Sequence, residues 1–370
     1  MAAAGMAAVE KGVPVAMDGN KRNKIDRRAF LTSLPLASVA VPMARTLMVE
    51  SAMAESSAAS TMSEPEIAAK TIDFSANLPA AGTFPARWIS GSVSAKHNQD
   101  PPVQVHWYNE HTAFLRQNKA YSYEAPFMLL YFGNERILMV DQGYTQLRSH
   151  WPLRDVVDQC IAEWCRRNGR RVEEMELLLV FSHLHDDHYS GILQFADRLN
   201  TRLMGQSHEE MVGFWGMTNY PEERVTLDLG GRTVLVWGSP GHVMSEFAYY
   251  DTYTQLLFTG DMFYRGRCYI SFWETWFASM QRLMAFLDTH PVTHVMGCHV
   301  EMSRTGEDYP YGVTWQPDEA PWQLSVDELR KSYEFAKTIT KPGIYYTGSV
   351  YLCNETRHLT TIDRNPYAYE

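Results

Sequence analysis

From Trp88 onward the chain alternates short apolar runs with clusters of turn-forming residues. Val103 to Trp107, Thr112 to Leu115, Phe127 to Phe132 and Arg136 to Val140 are β-type runs, broken at Pro101-Pro102, Asn109-Glu110, Asn118 and Gly133-Asn134. The period then changes. Leu153, Val156, Val157, Cys160, Ile161, Trp164 and Cys165 recur at helical spacing and stop at Asn168-Gly169, which predicts a helix over 153–167. Leu177-Leu178-Leu179-Val180-Phe181 is apolar throughout and reads as a strand buried on both faces. Beyond it come a helical stretch near Ile192 to Leu199, strands near Val225 to Leu227, Thr233 to Trp237 and Gln255 to Phe258, a helix from Trp276 to Asp288 and a strand from His294 to Met296. Strands and helices mixed in this order predict helices packed outside two sheets. Near the C-terminus, Ser325-x-x-Glu328 is a capping box flanked by Leu324 and Leu329, so a helix should run from Val326 to Ile339 and end at Lys341-Pro342-Gly343. Val350 to Leu352 and Leu359 to Ile362 are candidate late strands.

The residues before Trp88 differ in kind. Glu55 to Pro85 is rich in Ala, Ser and Pro without sustained periodicity and reads as a linker. Residues 1–54 carry seven Lys and Arg against four Asp and Glu. Within them Arg27-Arg28 precedes an apolar stretch, Ala29 to Ala44, and a small-residue site at Ala52-Met53-Ala54. The pattern resembles a twin-arginine export signal, and implies a periplasmic or secreted mature protein. Pro35 and Pro42 interrupt the stretch, which is shorter than the ~20 residues that span a bilayer. No stable membrane insertion is expected once the signal is removed. The organisation read from the sequence is therefore a signal at 1–54, a linker at 55–85, a catalytic domain at 86–305 and a C-terminal extension at 306–370 packed on it.

Composition narrows the function. Of 370 residues, 45% are hydrophobic and 21% charged, the balance of a chain that buries a real core. The formal charge of -10 argues against binding nucleic acid or anionic lipid, and a small neutral or cationic substrate is easier to accept. The five cysteines include no C-x-x-C. Cys160 and Cys165 are about 7.5 Å apart along a helix, too far for a comfortable disulfide, and read as packed thiols.

Candidate chemistry follows the buried strand, in His183-Leu184-His185-Asp186-Asp187-His188. Imidazole and carboxylate are ligands that Zn²⁺ prefers, and residues two apart in an extended turn point the same way, so His183 and His185 can chelate one ion while Asp187 and His188 face a second. Two ions need more ligands. His242 in Pro240-Gly241-His242, Asp261 in Thr259-Gly260-Asp261 and His299 in Gly297-Cys298-His299 each appear where a predicted strand has just ended, beside a glycine that lets the backbone turn.

These motifs resemble the metallo-β-lactamase superfamily. The H-x-H-x-D-H box is His183, His185, Asp187 and His188, the P-G-H turn carries His242, and Asp261 and His299 complete the set. Ile137-Leu138-Met139-Val140-Asp141-x-Gly143 resembles the strand and turn with which such domains open. The resemblance implies an α+β fold, a four-layer αβ/βα sandwich, with a dinuclear centre at the sheet edges. It implies two divalent metal ions, Zn²⁺ foremost with Fe²⁺ and Mn²⁺ as alternatives. His183, His185 and His242 would hold one ion, Asp187, His188 and His299 the other, and Asp261 would bridge. Water shared by two such ions is hydroxide near neutral pH, and Asp187 would orient it. Tyr264, three residues after Asp261, stands where some lactone-hydrolysing relatives carry an oxyanion donor; packing is the competing role. Cys298 reads as a small buried thiol and Asp141 as a turn residue. Trp107 to His111 read either as a loop covering the site or as a plain exposed turn, and His106, His290 and His294 as structural.

Asp261 separates the chain from antibiotic-hydrolysing members with a similar box, which lack the bridging aspartate. An exported hydrolase of an ester, lactone or thioester is the reading that results. A β-lactam hydrolase and an iron-dependent sulfur dioxygenase on the same fold are its alternatives, and a metal-binding protein without turnover is a third.

Overall fold

The computed structural model describes residues 69–355; the expected export signal, the first part of the expected linker (55–68) and the strand expected at Leu359 to Ile362 lie outside the described residues. Fourteen strands and five α-helices form among them. The first sheet holds, in spatial order, β1 (Val103–Asn109), β2 (Thr112–Gln117), β3 (Phe127–Phe132), β4 (Arg136–Val140), β5 (Glu176–Val180) and β6 (Thr201–Leu203). β1 to β4 form an antiparallel meander, and β4, β5 and β6 run parallel, with Ile137 opposite Leu177 and Val140 opposite Val180. That change of direction requires a crossover, which α1 (Leu153–Asn168) supplies. It ends where expected, with Gly169 left-handed at φ 61°.

The second sheet holds β7 (Arg224–Asp228), β8 (Thr233–Gly238), β9 (Phe247–Asp251), β10 (Leu256–Phe258) and β12 (His294–Met296). Its strands show why four layers form. Val234, Val236, Phe247, Tyr249, Leu256, Phe258 and Met296 join the core shared with the first sheet, while Trp237, Ala248, Tyr250, Leu257 and Val295 join a second core. Successive strand residues face opposite ways, so one sheet fills two cores. The second core is completed by α4 (Trp273–Leu287), through Trp276, Met280 and Leu283, and by α5 (Val326–Ala336), through Leu329 and Tyr333. The order is helix, sheet, sheet, helix, the α+β sandwich that the motifs imply. A small third sheet pairs β11 (Arg267–Tyr269) with β14 (Tyr351–Cys353) and β14 with β13 (Ile344–Tyr346), so the C-terminal residues enter the fold.

Several expectations shift. The stretch at Ile192 to Leu199 forms only a 3-10 turn, Ser190–Phe195, directly after the four-residue α2 (Asp186–Tyr189). β6, β9, β11, β13 and α3 (His208–Trp215) are additional to the elements read from the sequence. The capping box is present with both of its hydrogen bonds, and the helix behind it stops at Ala336 rather than Ile339. All five cysteines are free and buried. Among the described residues no helix is long and apolar enough to cross a membrane.

One buried ion pair joins the two sheets. Arg232, just before β8, is bidentate to Asp251 at 2.9 and 2.7 Å, and also donates to Thr112 Oγ1 at 2.7 Å and to the carbonyls of His111 and Phe132. Both charges are fully buried, and five donated bonds use all the polar N–H groups of the arginine.

Candidate metal centre

Each candidate ligand hangs from the end of a strand at one edge of the sandwich. β5 runs out into Ser182 and His183, and the turn that follows becomes α2, which carries Asp187 and His188. β8 leads to His242, β10 to Asp261 and β12 to His299. Close backbone packing makes two of these turns possible. A Cβ on Gly241 would lie 2.4 Å from Trp276 Cβ, and one on Gly297 would lie 2.2 Å from Tyr264 Cβ. Only glycine lets His242 and His299 approach their neighbours this way.

The seven side chains meet. Ligand-type atoms of His183, His185, His242 and Asp261 lie within 4.8 Å of one another, as do those of Asp187, His188 and His299. Asp261 faces both groups: its Oδ2 is 3.9, 3.7 and 3.8 Å from the Nε2 atoms of His183, His242 and His188, and its Oδ1 is 3.3 Å from His299 Nε2. Asp187 Oδ2 is 3.0 Å from His188 Nε2 and 3.2 Å from His299 Nε2.

The far side of each ring determines what the near side can do. His188 Nδ1 is 2.9 Å from Asp141 Oδ2, His242 Nδ1 2.7 Å from Tyr269 O, His299 Nδ1 3.1 Å from Glu124 O and His183 Nδ1 3.1 Å from Ser182 Oγ. Rings that donate Nδ1–H outward present the Nε2 lone pair inward, the arrangement that orients metal-ligating histidines. His185 Nδ1 stands 3.0 Å from both His183 Nε2 and His242 Nε2. His188 Nε2 and Asp261 Oδ1 are buried and make no hydrogen bond. Imidazole nitrogens and carboxylate oxygens converging in this way fit divalent cations, and the nitrogen and oxygen donors suit zinc and other first-row metals.

Charge in the cluster agrees with that fit. Burial, with His188 and His185 beside it, holds His183 well below the usual histidine range, and burial and His242 push His185 down to about 4. Burial alone would raise the Asp187 and Asp261 carboxyls, but His188 and His299 override it and hold both below the usual carboxylate range. The same attraction lifts His188 and His299 against burial, chiefly through Asp187 for His188 and Asp261 for His299. A cation between these groups would displace the protons they attract.

Residues 177–333 match the family model described as the metallo-beta-lactamase superfamily. The matched segment, a little under half of the chain, carries all seven candidate ligands. Two curated relatives are hydroxyacylglutathione hydrolases. The one from Bartonella quintana (strain Toulouse) is 27% identical over 105 residues, 28% of this chain and 40% of its own. The one from Synechococcus sp. (strain JA-2-3B'a(2-13)) is 31% identical over 94 residues, 25% of this chain and 37% of its own. The chain thus spans about two-fifths of the length of the curated relatives it matches. Among solved structures, a metallo-β-lactamase from Pontibacter korlensis is 15% identical with a TM-score of 0.43, covering 64% of this chain and all of that one. DIM-1 metallo-β-lactamase is also 15% identical, at 0.42, over 65% of this chain and 99% of its own.

The structure does not place every predicted residue in the cleft. Tyr264 is buried, its ring lies edge-on to His299 at 5.4 Å, and its hydroxyl donates to Arg267 O and lies 3.1 Å from Glu301 Oε2. That hydroxyl is engaged by Arg267 and Glu301, an arrangement that fits the packing role, the other of the two expected for it. Residues 110 and 111 form the tight turn between β1 and β2, at the end of the sheet where Arg232 binds, so Trp107 to His111 do not cover the site. The connection from β2 to β3 stands there instead. Lys119, Tyr121, Tyr123, Glu124 and Tyr144 line a cavity of about 540 Å³ that reaches His185 and Asp187.

Three contributors were missed or undervalued in the sequence. Asp141, left-handed at φ 63°, does fix a turn, since its Oδ1 accepts from Ser182 N at 2.6 Å. It also orients His188, and its Oδ2 accepts from the buried Cys298 thiol at 3.2 Å. Glu246 is wholly buried, with Oε1 accepting from Asp261 N at 3.1 Å, and so fixes the backbone of the shared aspartate. A carboxylate directly before the all-buried β9 was the available signal for it. Glu124 carried no signal, because only its fold neighbours place it beside Asp187. Asp187 and burial push its carboxyl up to about 7, burial being the larger cause.

Proposed function

We propose that the protein is a dinuclear-metal hydrolase that cleaves an ester, lactone or thioester in the cavity beside His185 and Asp187. The observation that carries this reading is the position of Asp261, whose single carboxylate lies within 4.0 Å of ring nitrogens from both histidine groups. His183, His185 and His242 would hold one ion and Asp187, His188 and His299 the second, with zinc the first candidate and iron or manganese the alternatives. When bound, such a pair supplies a nucleophilic water at neutral pH and a Lewis acid for the carbonyl oxygen.

The remaining work falls to the chain itself. Asp187 lies on the cavity wall, placed to help hold the second ion and to orient the attacking water. Asp141 holds His188 in one tautomer, and Glu246 keeps Asp261 from rotating away through its amide. The buried surroundings exclude bulk water and strengthen each of these interactions. The names of the curated relatives support thioester cleavage within this class.

The test is metal analysis of the purified chain followed by turnover of lactones, thioesters, β-lactams and phosphodiesters. Asp187→Asn should lower turnover on the best substrate by orders of magnitude with the fold retained, and His185→Ala should lower metal content. Parental turnover in both variants would refute the site. Oxygen-dependent loss of a persulfide with no hydrolysis would refute the reaction class.

A further inference from the structure

Two of the metal-facing histidines lean on one buried side chain. β4 and β5 run parallel with Val140 opposite Val180, so Asp141 and Ser182 leave neighbouring strands side by side. The ladder continues one step beyond them, with Asp141 N donating to Val180 O at 2.9 Å. Ser182 then turns inward. Its N donates to Asp141 Oδ1 at 2.6 Å, and its O accepts from Phe247 N at 2.9 Å. With both backbone groups held and both residues fully buried, the Ser182 hydroxyl has a fixed position.

Ser182 Oγ lies 3.1 Å from Asp141 Oδ2, 3.1 Å from His183 Nδ1 and 3.6 Å from Cys298 Sγ. The hydroxyl has one proton to give, and its neighbours set the direction. An ion on His183 Nε2 requires the ring proton on Nδ1, which leaves Oγ as the acceptor there. The hydroxyl can then donate to Asp141 Oδ2. That same oxygen meets His188 Nδ1 at 2.9 Å and the Cys298 thiol at 3.2 Å. His183 belongs to one group of ligands and His188 to the other. His242 and His299, by contrast, turn Nδ1 to separate carbonyls, those of Tyr269 and Glu124.

We infer that Ser182 is a positioning residue that passes the hold of Asp141 on to His183, so that one buried side chain orients a histidine in each ion group. The inference rests on the dinuclear reading above and adds a second link between the two ion sites, behind the rings, where Asp261 links them in front. Ser182 acts only through His183, by fixing the plane and tautomer of its ring. Loss of such an outer hydrogen bond lowers metal affinity about 10- to 100-fold.

The experiment titrates the metal-free full chain with zinc against a competing chelator, and repeats the titration with Ser182→Ala and Asp141→Ala. The parent should take up two equivalents. Ser182→Ala should weaken one of them about tenfold or more and leave the other within about threefold, while Asp141→Ala should weaken both. In the zinc-loaded parent with isotope-labelled histidine, magnetic resonance should show a slowly exchanging proton on His183 Nδ1, and Ser182→Ala should speed its exchange. Neither readout needs turnover, and a hydroxyl that only packs would move neither. A parent that binds no zinc overturns the dinuclear reading and the inference with it. A parent that binds two equivalents, with Ser182→Ala weakening neither or both alike, overturns the inference alone. Should Ser182→Ala fail to fold, the parent still decides: a His183 Nδ1 without a proton in the zinc-loaded chain overturns the inference, and a slowly exchanging proton there supports it.

Discussion

Replacing Glu319 by Leu would remove the one carboxylate that neutralises two buried cations. Arg116 on β2 is fully buried, donates to both oxygens of Glu319, and packs its guanidinium over the Phe127 ring at 4.6 Å, while Lys119 lies on the same carboxylate. Each charge-assisted hydrogen bond is worth about 1.5 to 3 kcal/mol, so the two together come to about 3 to 6 kcal/mol. Breaking a buried pair by removing one partner independently costs about 3 to 5 kcal/mol. The two routes agree, and Glu319→Leu should lose about 3 to 5 kcal/mol in urea unfolding of the metal-saturated protein at neutral pH. Glu319→Gln keeps one acceptor oxygen and should lose about half as much. The decisive arm is Arg116→Met combined with Glu319→Leu. With both charges gone the double variant should recover most of the loss, because the uncompensated charge, and not the missing bond, carries the cost. Lys119 is left with a pKa already pushed down to about 8 by burial and would shed its proton readily. A Glu319→Leu cost below about 1 kcal/mol, or a double variant no more stable than the single one, would refute the reasoning.

Three further outcomes are expected. Tyr264→Phe should leave kcat within about threefold and cost about 1 to 2 kcal/mol of stability, since it strips the donor from Arg267 O; a fall of 10² or more in kcat at unchanged stability would return the hydroxyl to the mechanism. His111 accepts from Trp164 Nε1 at 3.1 Å and is pushed down to about 4 by burial, with Arg232 and Arg167 adding to it. Between its unfolded value of 6.5 and about 4 the unfolded chain therefore binds the proton and the folded chain does not. Stability present above pH 6.5 is lost as pH falls through that window, and His111→Gln should lose less than the parent between pH 7 and pH 5 in denaturant titrations. Arg27→Lys with Arg28→Lys should leave full-length precursor in the cytoplasm, as lysine does not reproduce a paired guanidinium, and undiminished periplasmic protein in a fractionation assay would refute the export signal.

The sequence made the repetitive parts of this fold legible and the solitary ones not. β3, β4 and β12 follow runs whose period or apolarity is unambiguous, and their limits fall at the expected residues. β9 was missed because Phe247-Ala-Tyr-Tyr-Asp ends on Asp251, a charge that belongs in the strand only because Arg232 reaches it. β11 is a three-residue strand whose partner, β14, is remote in the chain, and β13 is a three-residue strand paired with β14 across a short turn; each is too short for its period to show. Among site residues, the histidines and aspartates were readable because their chemistry is rare and their spacing specific. Glu124 was not, since one glutamate among polar turn residues looks like any other. Tyr264 was left between two roles for the opposite reason: proximity in sequence to Asp261 says nothing about where a long side chain ends.

The arginine that locks Asp251 to the first sheet gives the metal cluster a different significance. Arg232 binds at the ends of β2 and β3 that lie away from the cluster, where a chelator has no purchase. At the other margin the cluster takes His183, His185, Asp187 and His188 from the first sheet's connections and His242, Asp261 and His299 from the second's. The sandwich is thus tied at one end by a permanent charge pair and, with ions bound as proposed, would be fastened at the other by removable ones. Stripping the ions should open that second end alone: amide exchange should quicken in residues 240–243, 259–262 and 298–300, while the start of β8 stays protected. Because the charge pair preserves the register of the two halves, the opened end should close again when the ions return, without the chain having to refold.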